Sequence, residues 1–258
     1  MARVLITGSS DGLGLMAGQI LTQQGHDVTF HARNEERAED LRRALSSVGP
    51  SVVIGDLASL EQTRSVAEQA NRIGRHDAVI HNAGIGYRRP ARETSEDGHE
   101  LTFAVNVLSA YVLTALVDRP DRLVYLSSGM HRGGTPSCDD IGWARRRWNG
   151  AQAYSDTKLF DVALAFAVAR RWPDVASNAV EPGWVATRMG GPGAPDDLRA
   201  GAVTQSWLAV SDDPDARSSG GYWYHQNRRD AHPAASDARF QDELIDCCAA
   251  LSGVTLPD

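Results

Sequence analysis

The chain has 258 residues, a length that suits one large domain with a substantial core. Its formal net charge of -7 argues against a nucleic-acid partner, because backbone binding needs clustered Lys and Arg, and the one basic run, Arg145-Arg146-Arg147, reads as a solvated loop face. The three cysteines, Cys138, Cys247 and Cys248, lack metal-ligand spacing and cannot form a disulfide framework, and no apolar run approaches the roughly 20 residues of a membrane span. Strand-like sequence begins at Arg3 without a basic-then-apolar leader. The expectation is a soluble cytoplasmic protein with no metal, no membrane contact and a small-molecule partner.

In chain order, Val4-Leu5-Ile6, Asp27-Val28-Thr29-Phe30, Val52-Val53-Ile54, Ala78-Val79-Ile80 and Leu123-Val124-Tyr125-Leu126 are short apolar runs suited to strands buried on both faces. Each is followed by a helix-length segment. Further strands are predicted over residues 177–180 and 221–224, and helical periodicity over 240–251. Right-handed crossovers leave few topologies for such alternation: an α/β fold, a doubly wound parallel sheet of about seven strands with helices on both faces. Residues 1–258 read as one domain. Two stretches interrupt the pattern, both after strand C-terminal ends, where open α/β sheets bind ligands. Residues 129–150, with Trp143 and Trp148, predict a pocket wall. Residues 184–198, with Trp184, Met189 and a Gly-Pro-rich run, predict a mobile lid.

Directly after the first strand comes Thr7-Gly8-Ser9-Ser10-Asp11-Gly12-Leu13-Gly14. Gly8, Gly12 and Gly14 sit where the chain must turn tightly, present amides to a pyrophosphate and let a helix approach the sheet. Beyond the second strand stands Arg33, where NAD-specific folds place an acid against the ribose; an arginine there receives a 2′-phosphate instead, with Arg37 one helical turn on.

Tyr154 and Lys158 lie four apart on a predicted helix. An unperturbed phenol, with a pKa of about 10, exchanges its proton poorly at neutral pH, and an ammonium on the same helix face stabilises its phenolate. Ser128, ending the fifth strand, is placed to hydrogen-bond a substrate carbonyl. His131 does not convert this serine into an acyl-transfer nucleophile, since no Gly-x-Ser-x-Gly elbow surrounds it. For Glu181, the residues alone leave open whether it faces the nicotinamide or solvent.

With these motifs in order, the chain resembles the short-chain dehydrogenase/reductase family over nearly its full length. It carries the Thr7 to Gly14 loop, Asp56 after the third strand, Asn82-Ala83-Gly84 after the fourth, Asn106, Ser128, Tyr154-x-x-x-Lys158, Pro182-Gly183 and Thr187. The resemblance implies a Rossmann fold and a catalytic set of Asn106, Ser128, Tyr154 and Lys158. It implies cofactor contacts from Thr7, Gly8, Ser10, Gly12, Leu13 and Gly14, from Arg33, Asp56 and Leu57, from Asn82, Ala83 and Gly84, from Tyr154 and Lys158, and from Pro182, Gly183, Val185 and Thr187. Asp56 would hold the adenine amino group, Asn106 and Lys158 a proton-relay water, and Thr187 the carboxamide.

His81 replaces the usual first asparagine of Asn-Asn-Ala-Gly, and Asp11 stands where some NADP-dependent members have a base. NADP(H) is favoured and NAD(H) remains open. Ser127-Ser128-Gly129-Met130-His131 and the long interval to Tyr154 resemble the retinol-dehydrogenase-like branch and actinobacterial ketoreductases. The implied activity is hydride transfer between a nicotinamide and the carbonyl or secondary alcohol of a fairly bulky apolar substrate. The competing reading is a catalytically inactive nucleotide-binding regulator, which predicts damage among the four catalytic positions. An extended epimerase or dehydratase would need a second substrate domain. Val105, Val112, Leu164 and Val168 add apolar surface to the helices predicted over 101–116 and 151–172, which relatives pair between subunits, so the resemblance implies a homodimer through them, with a tetramer or a monomer as alternatives.

Overall fold

The computed structural model describes residues 1–46 and 49–257. One sheet of eight strands runs in the order β3-β2-β1-β4-β5-β6-β7-β8. The strands are β1 (Arg3–Ile6), β2 (Asp27–Ala32), β3 (Ser51–Ile54), β4 (Ala78–His81), β5 (Arg122–Leu126), β6 (Ala176–Glu181), β7 (Tyr222–Tyr224) and β8 (Asn227–Arg229). The first seven are parallel; β8 returns antiparallel to β7. It is one strand more than the seven expected.

Alternation along the central strands feeds two cores. Leu5, Val79, Leu123 and Tyr125 point into one, while Val4, Ile6, Ala78, Ile80, Val124 and Leu126 point into the other. The first core is covered by α3 (Leu60–Ile73), α4 (Leu101–Phe103), α5 (Ser109–Leu116), α6 (Gly150–Arg171) and α8 (Ala238–Ser252). The second is covered by α1 (Gly12–Gln23), α2 (Glu35–Ala44) and α7 (Leu198–Val210). Strand order reverses between β1 and β4, which opens a crevice between the loops that follow them.

Helix α4 does not run straight into α5. A π turn at Ala104–Leu108 joins them, and it holds Asn106 at its middle. Helix α8 and the tail behind it lie over α5 and α6. Phe240 meets Phe160 with ring centroids 5.8 Å apart, Tyr111 donates to the Val254 carbonyl at 2.9 Å, and Trp172 Nε1 donates to the Pro257 carbonyl at 2.9 Å. Val112, Leu164 and Val168, the residues behind the expected subunit contact, are buried inside their own chain, and Val105 is half-buried.

Candidate active site

The glycine loop is held from two sides. Thr7 Oγ1 accepts from the amides of Asn82 and Ala83, both at 3.0 Å, and Asn82 Nδ2 donates back to the carbonyls of Thr7 and Gly8 at 2.9 and 3.0 Å. This clasp leaves no room for side chains: a Cβ on Gly8 would come within 2.7 Å of Ala83 Cα, and one on Gly14 within 2.5 Å of Asn82 Nδ2. On the other side, Gly8 N donates to His31 Nδ1 at 2.9 Å and His31 Nε2 donates to the Gly55 carbonyl at 2.9 Å. A ring that accepts at one nitrogen and donates at the other is neutral, in keeping with burial lowering its pKa. His31 is a supporting residue that sequence reading missed; its only signal is its place in β2.

Asp11, the N-cap of α1, makes no side-chain capping bond, unlike Asn34 of α2 or Ser59 of α3. The first amides of α1 stay available to an anion, and Asp11 instead pairs with Arg37 at 2.5 Å and lies 3.5 Å from Arg188. Arg33, just past β2, is exposed. Arg37 is thus engaged by Asp11 rather than standing free beside it. Asp56 and Leu57 follow β3, where Asp56 Oδ1 accepts from the Ala58 amide at 2.9 Å and Leu57 is buried.

Tyr154 and Lys158 project from the first turns of α6, whose N-cap Asn149 accepts from the amides of Ala151 and Gln152. Asn106 Nδ2 donates to Thr157 Oγ1 at 3.1 Å and Asn106 Oδ1 accepts from Ile85 N at 2.8 Å, so the π turn is tied both to α6 and to the loop after β4. A Cβ on Gly84 would lie 3.4 Å from Asn106 Oδ1 and 3.8 Å from Lys158 Nζ, which places these two groups around one glycine. Lys158 Nζ donates to the Leu126 carbonyl at 2.8 Å and to Asp161 Oδ2 at 2.7 Å. Burial opposes the ammonium, but the Asp161 carboxylate outweighs it and raises the lysine pKa. Burial dominates at Asp161, whose carboxyl rises to about 6 despite its partner.

Burial also raises the pKa of Tyr154, and the Lys158 charge and the Ser128 hydroxyl counter it only in part. The phenol is therefore a protonated donor at neutral pH. Ser128 Oγ accepts from Met130 N at 3.2 Å, and the backbone of Ser128 is fixed by His131, whose Nδ1 donates to its carbonyl at 2.8 Å while Nε2 accepts from His232 N at 3.1 Å. Burial lowers the His131 pKa to about 4, so this residue is a neutral brace and not a base.

These groups meet at a cavity of about 500 Å³. Its lining carries the polar side chains of Ser128, Tyr154, Glu181 and Thr187, the residues Leu13, Pro182, Gly183 and Val185, and the large apolar side chains of Tyr87, Met130, Trp184 and Met189. Tyr87, which the sequence did not single out, meets Tyr154 ring to ring at 5.7 Å. Trp143 and Trp148 do not form the expected pocket wall. They pack against each other at 5.5 Å, with the Arg146 guanidinium 3.6 Å over Trp143, and Trp148 donates to the Arg89 carbonyl. Their stretch starts with a 3₁₀ turn at Gly129–Gly133. Residues 184–197 are folded on themselves: Asp196 Oδ2 accepts from Trp184 N at 2.6 Å, and Trp184 Nε1 donates to the Gly190 carbonyl at 3.0 Å. Among the described residues, no cluster of three His, Cys, Asp or Glu could hold a metal ion.

A glycine-rich clasp at the crevice and a tyrosine–lysine pair facing an apolar cavity define a nucleotide-dependent oxidoreductase. Residues 8–215 match the family profile described as Enoyl-(Acyl carrier protein) reductase. An uncharacterized oxidoreductase of Emericella nidulans is 41% identical over 261 residues, covering 100% of this chain and 99% of that protein. A Streptomyces protein with the provisional name daunorubicin C-13 ketoreductase DnrU is 31% identical, covering 98% and 93%. Among solved structures, a blue fluorescent protein from a metagenomic library, in complex with NADPH, superposes with a TM-score of 0.69 at 23% identity, covering 86% and 95%. The chain belongs to the short-chain dehydrogenase/reductase family.

Proposed function

We propose that this chain is an NADP(H)-dependent reductase of bulky apolar ketones and aldehydes, acting in reverse on secondary alcohols, with NAD(H) the weaker cofactor. The observation that carries the reading is the protonated Tyr154 phenol beside Ser128 in a cavity whose lining includes Tyr87, Met130, Trp184 and Met189. The residues present fit a dinucleotide. A Cβ on Gly12, where φ is +56°, would meet only the Thr187 methyl at 3.7 Å, so the loop has open space on its cleft side. Gly8, Gly12, Gly14 and Ser10 would hold the pyrophosphate, Asp56 and Leu57 the adenine, Asn82 to Gly84 and Lys158 the riboses, and Pro182, Gly183, Val185 and Thr187 the nicotinamide end. The DnrU name and the NADPH in the solved neighbour support this reading of chemistry and cofactor.

When bound, the cofactor supplies or accepts the hydride. Ser128 Oγ donates a hydrogen bond to the carbonyl oxygen as negative charge develops there. Tyr154 gives that oxygen its proton. Lys158 stabilises the resulting phenolate, and Asn106 keeps the loop after β4 and the start of α6 in fixed relation. None of the four positions is replaced in the sequence, which gives no support to an inactive regulator.

Assembly and location complete the proposal. Because α8 packs on α6, the tail behind it bonds to Tyr111 of α5, and Val112, Leu164 and Val168 are buried within their own chain, the working unit is a single chain rather than the expected homodimer or tetramer. Free Cys138, Cys247 and Cys248 support a cytoplasmic setting, and among the described residues no helix is long and apolar enough to cross a membrane.

The test is a panel of carbonyl compounds assayed with NADPH, alongside Tyr154→Phe. Aryl and polycyclic ketones should exceed acetone-sized substrates in kcat/KM, and the variant should lose at least on the order of 10²-fold in kcat while still binding NADPH. Near-normal turnover by the variant, or a preference for small polar ketones, would refute the reading.

A further inference from the structure

One carboxylate interrupts the apolar cavity. Glu181 ends β6 next to Pro182, and its Oε2 accepts from the Tyr222 hydroxyl at 2.6 Å. The Tyr222 phenol is buried, and burial together with Glu181 pushes its pKa far above the ordinary value, so it remains a donor. Behind it the His131 ring packs at 4.5 Å, fixed in turn by the Ser128 carbonyl and the His232 amide. The carboxylate is thus braced in one orientation. Its other oxygen, Oε1, faces Gly129, where a Cβ would approach it to 2.7 Å. Gly129, the residue after Ser128, lines the cavity beside Glu181, and its missing side chain leaves this oxygen uncrowded.

Resting on the reductase reading, we propose that Glu181, oriented by Tyr222, is a substrate-recognition site that accepts a hydrogen bond from a hydroxyl carried by the ketone a few bonds from its reacting carbonyl. The substrate class is then a hydroxylated aromatic or polycyclic ketone. The reasoning is one of matched polarity. An aromatic body suits Tyr87, Met130, Trp184 and Met189, whereas a carboxylate facing a purely apolar ligand would lose water without compensation. A hydroxyl restores that bond as a charge-assisted one. A substrate ammonium would bring its own, larger desolvation cost into the same apolar surroundings, so the neutral donor is favoured. No part of the proton transfer uses Glu181; it fixes which face and which end of the substrate meets Ser128.

The experiment compares acetylnaphthalene, its hydroxylated positional isomers, their methoxy ethers and an aminomethyl counterpart, each with NADPH and the unmodified protein. At least one hydroxylated isomer should exceed both its ether and the parent in kcat/KM by on the order of tenfold. Glu181→Leu should bring that ratio to about one, and Tyr222→Phe should lower it part of the way, with NADPH titration confirming that each variant is folded. If Glu181→Leu does not bind NADPH, Tyr222→Phe decides: a lowered ratio supports the site and an unchanged one overturns it. Ketone reduction with every ratio near one, or preference for the aminomethyl compound, overturns the hydroxyl site alone. Failure to reduce any ketone while NADPH binds overturns the reductase reading, and the site with it.

Discussion

Lys158 shares a buried ion pair with Asp161, Nζ to Oδ2 at 2.7 Å, one helical turn beyond the pair formed with Tyr154. The ammonium that tunes the phenol is thus itself tuned. The Asp161 charge raises the pKa of Tyr154, against the lowering effect of Lys158. Asp161→Asn removes that charge, so the pH at which Tyr154 deprotonates should fall. The alkaline limb of ketone reduction should move to lower pH, and the onset of alcohol oxidation with it. Rate profiles of both proteins from pH 5 to 10 check this, and coincident limbs would rule it out. Stability should also drop, on the order of 3 kcal/mol, because the lysine is left with a buried and unbalanced charge.

On the proposed reading, Asp11 should weigh on cofactor choice as much as Arg33 does. Arg33→Ala should cost NADPH one to two decades of affinity, the effect of a charge-assisted contact of roughly 1.5–3 kcal/mol, with little change for NADH. Asp11→Ser should act in the opposite direction. It releases Arg37 from its ion pair and removes an anion from the phosphate end of α1. Fluorescence titration of both nucleotides against both variants gives the answer; equal affinities in the unmodified protein would end the argument.

Buried histidines set the acid limit of the fold. Burial lowers His81 to about 3, and His76 and His131 to about 4, from an ordinary 6.5. Their neutral forms favour the folded state at pH values above 6.5, and that stability is lost as pH falls towards 4. Each extra proton bound by the unfolded chain contributes about 1.4 kcal/mol per pH unit. Asp161 acts in the reverse sense between 3.8 and about 6, since its raised pKa makes the folded state hold the proton more tightly, but it is one group against three. Urea midpoints should therefore fall steadily from pH 6.5 to 4.5, and a constant midpoint would contradict the assignment.

The apolar face of α5 and α6 is already covered by α8 and the residues behind it. Light scattering at micromolar concentration should give one chain mass, 27.8 kDa. A stable mass of twice that value would show pairing through another surface or displacement of α8.

Strands buried on both faces were readable because their side chains alternate between two cores, so most of their positions are apolar. β8 was not, since Asn227-Arg228-Arg229 is an exposed edge strand whose sequence looks like a loop. Its turn, at His225 and Gln226, takes φ values of 48° and 59° without a glycine to announce it. The four proposed catalytic positions could be named from their spacing; Ser128 and Tyr154 line one cavity, and Asn106 and Lys158 lie beside Gly84. Asp161 was not, for on paper it is one more polar residue in a helix, and only burial reveals its partner. Trp143 and Trp148 misled for a related reason: aromatic composition shows that a segment packs, not against what.

The π turn around Asn106 bears on more than the site. Each residue of an α-helix advances by about 100°, so one extra residue rotates everything beyond it by that amount. Tyr111, Val112 and Leu113 are buried after that rotation. Ser109 to Thr114 are all buried, so α5 is packed on every side with the irregularity in place. Straightening the turn would re-aim each of these side chains within a filled core, so the bend that carries Asn106 is held in place by the packing of an entire helix.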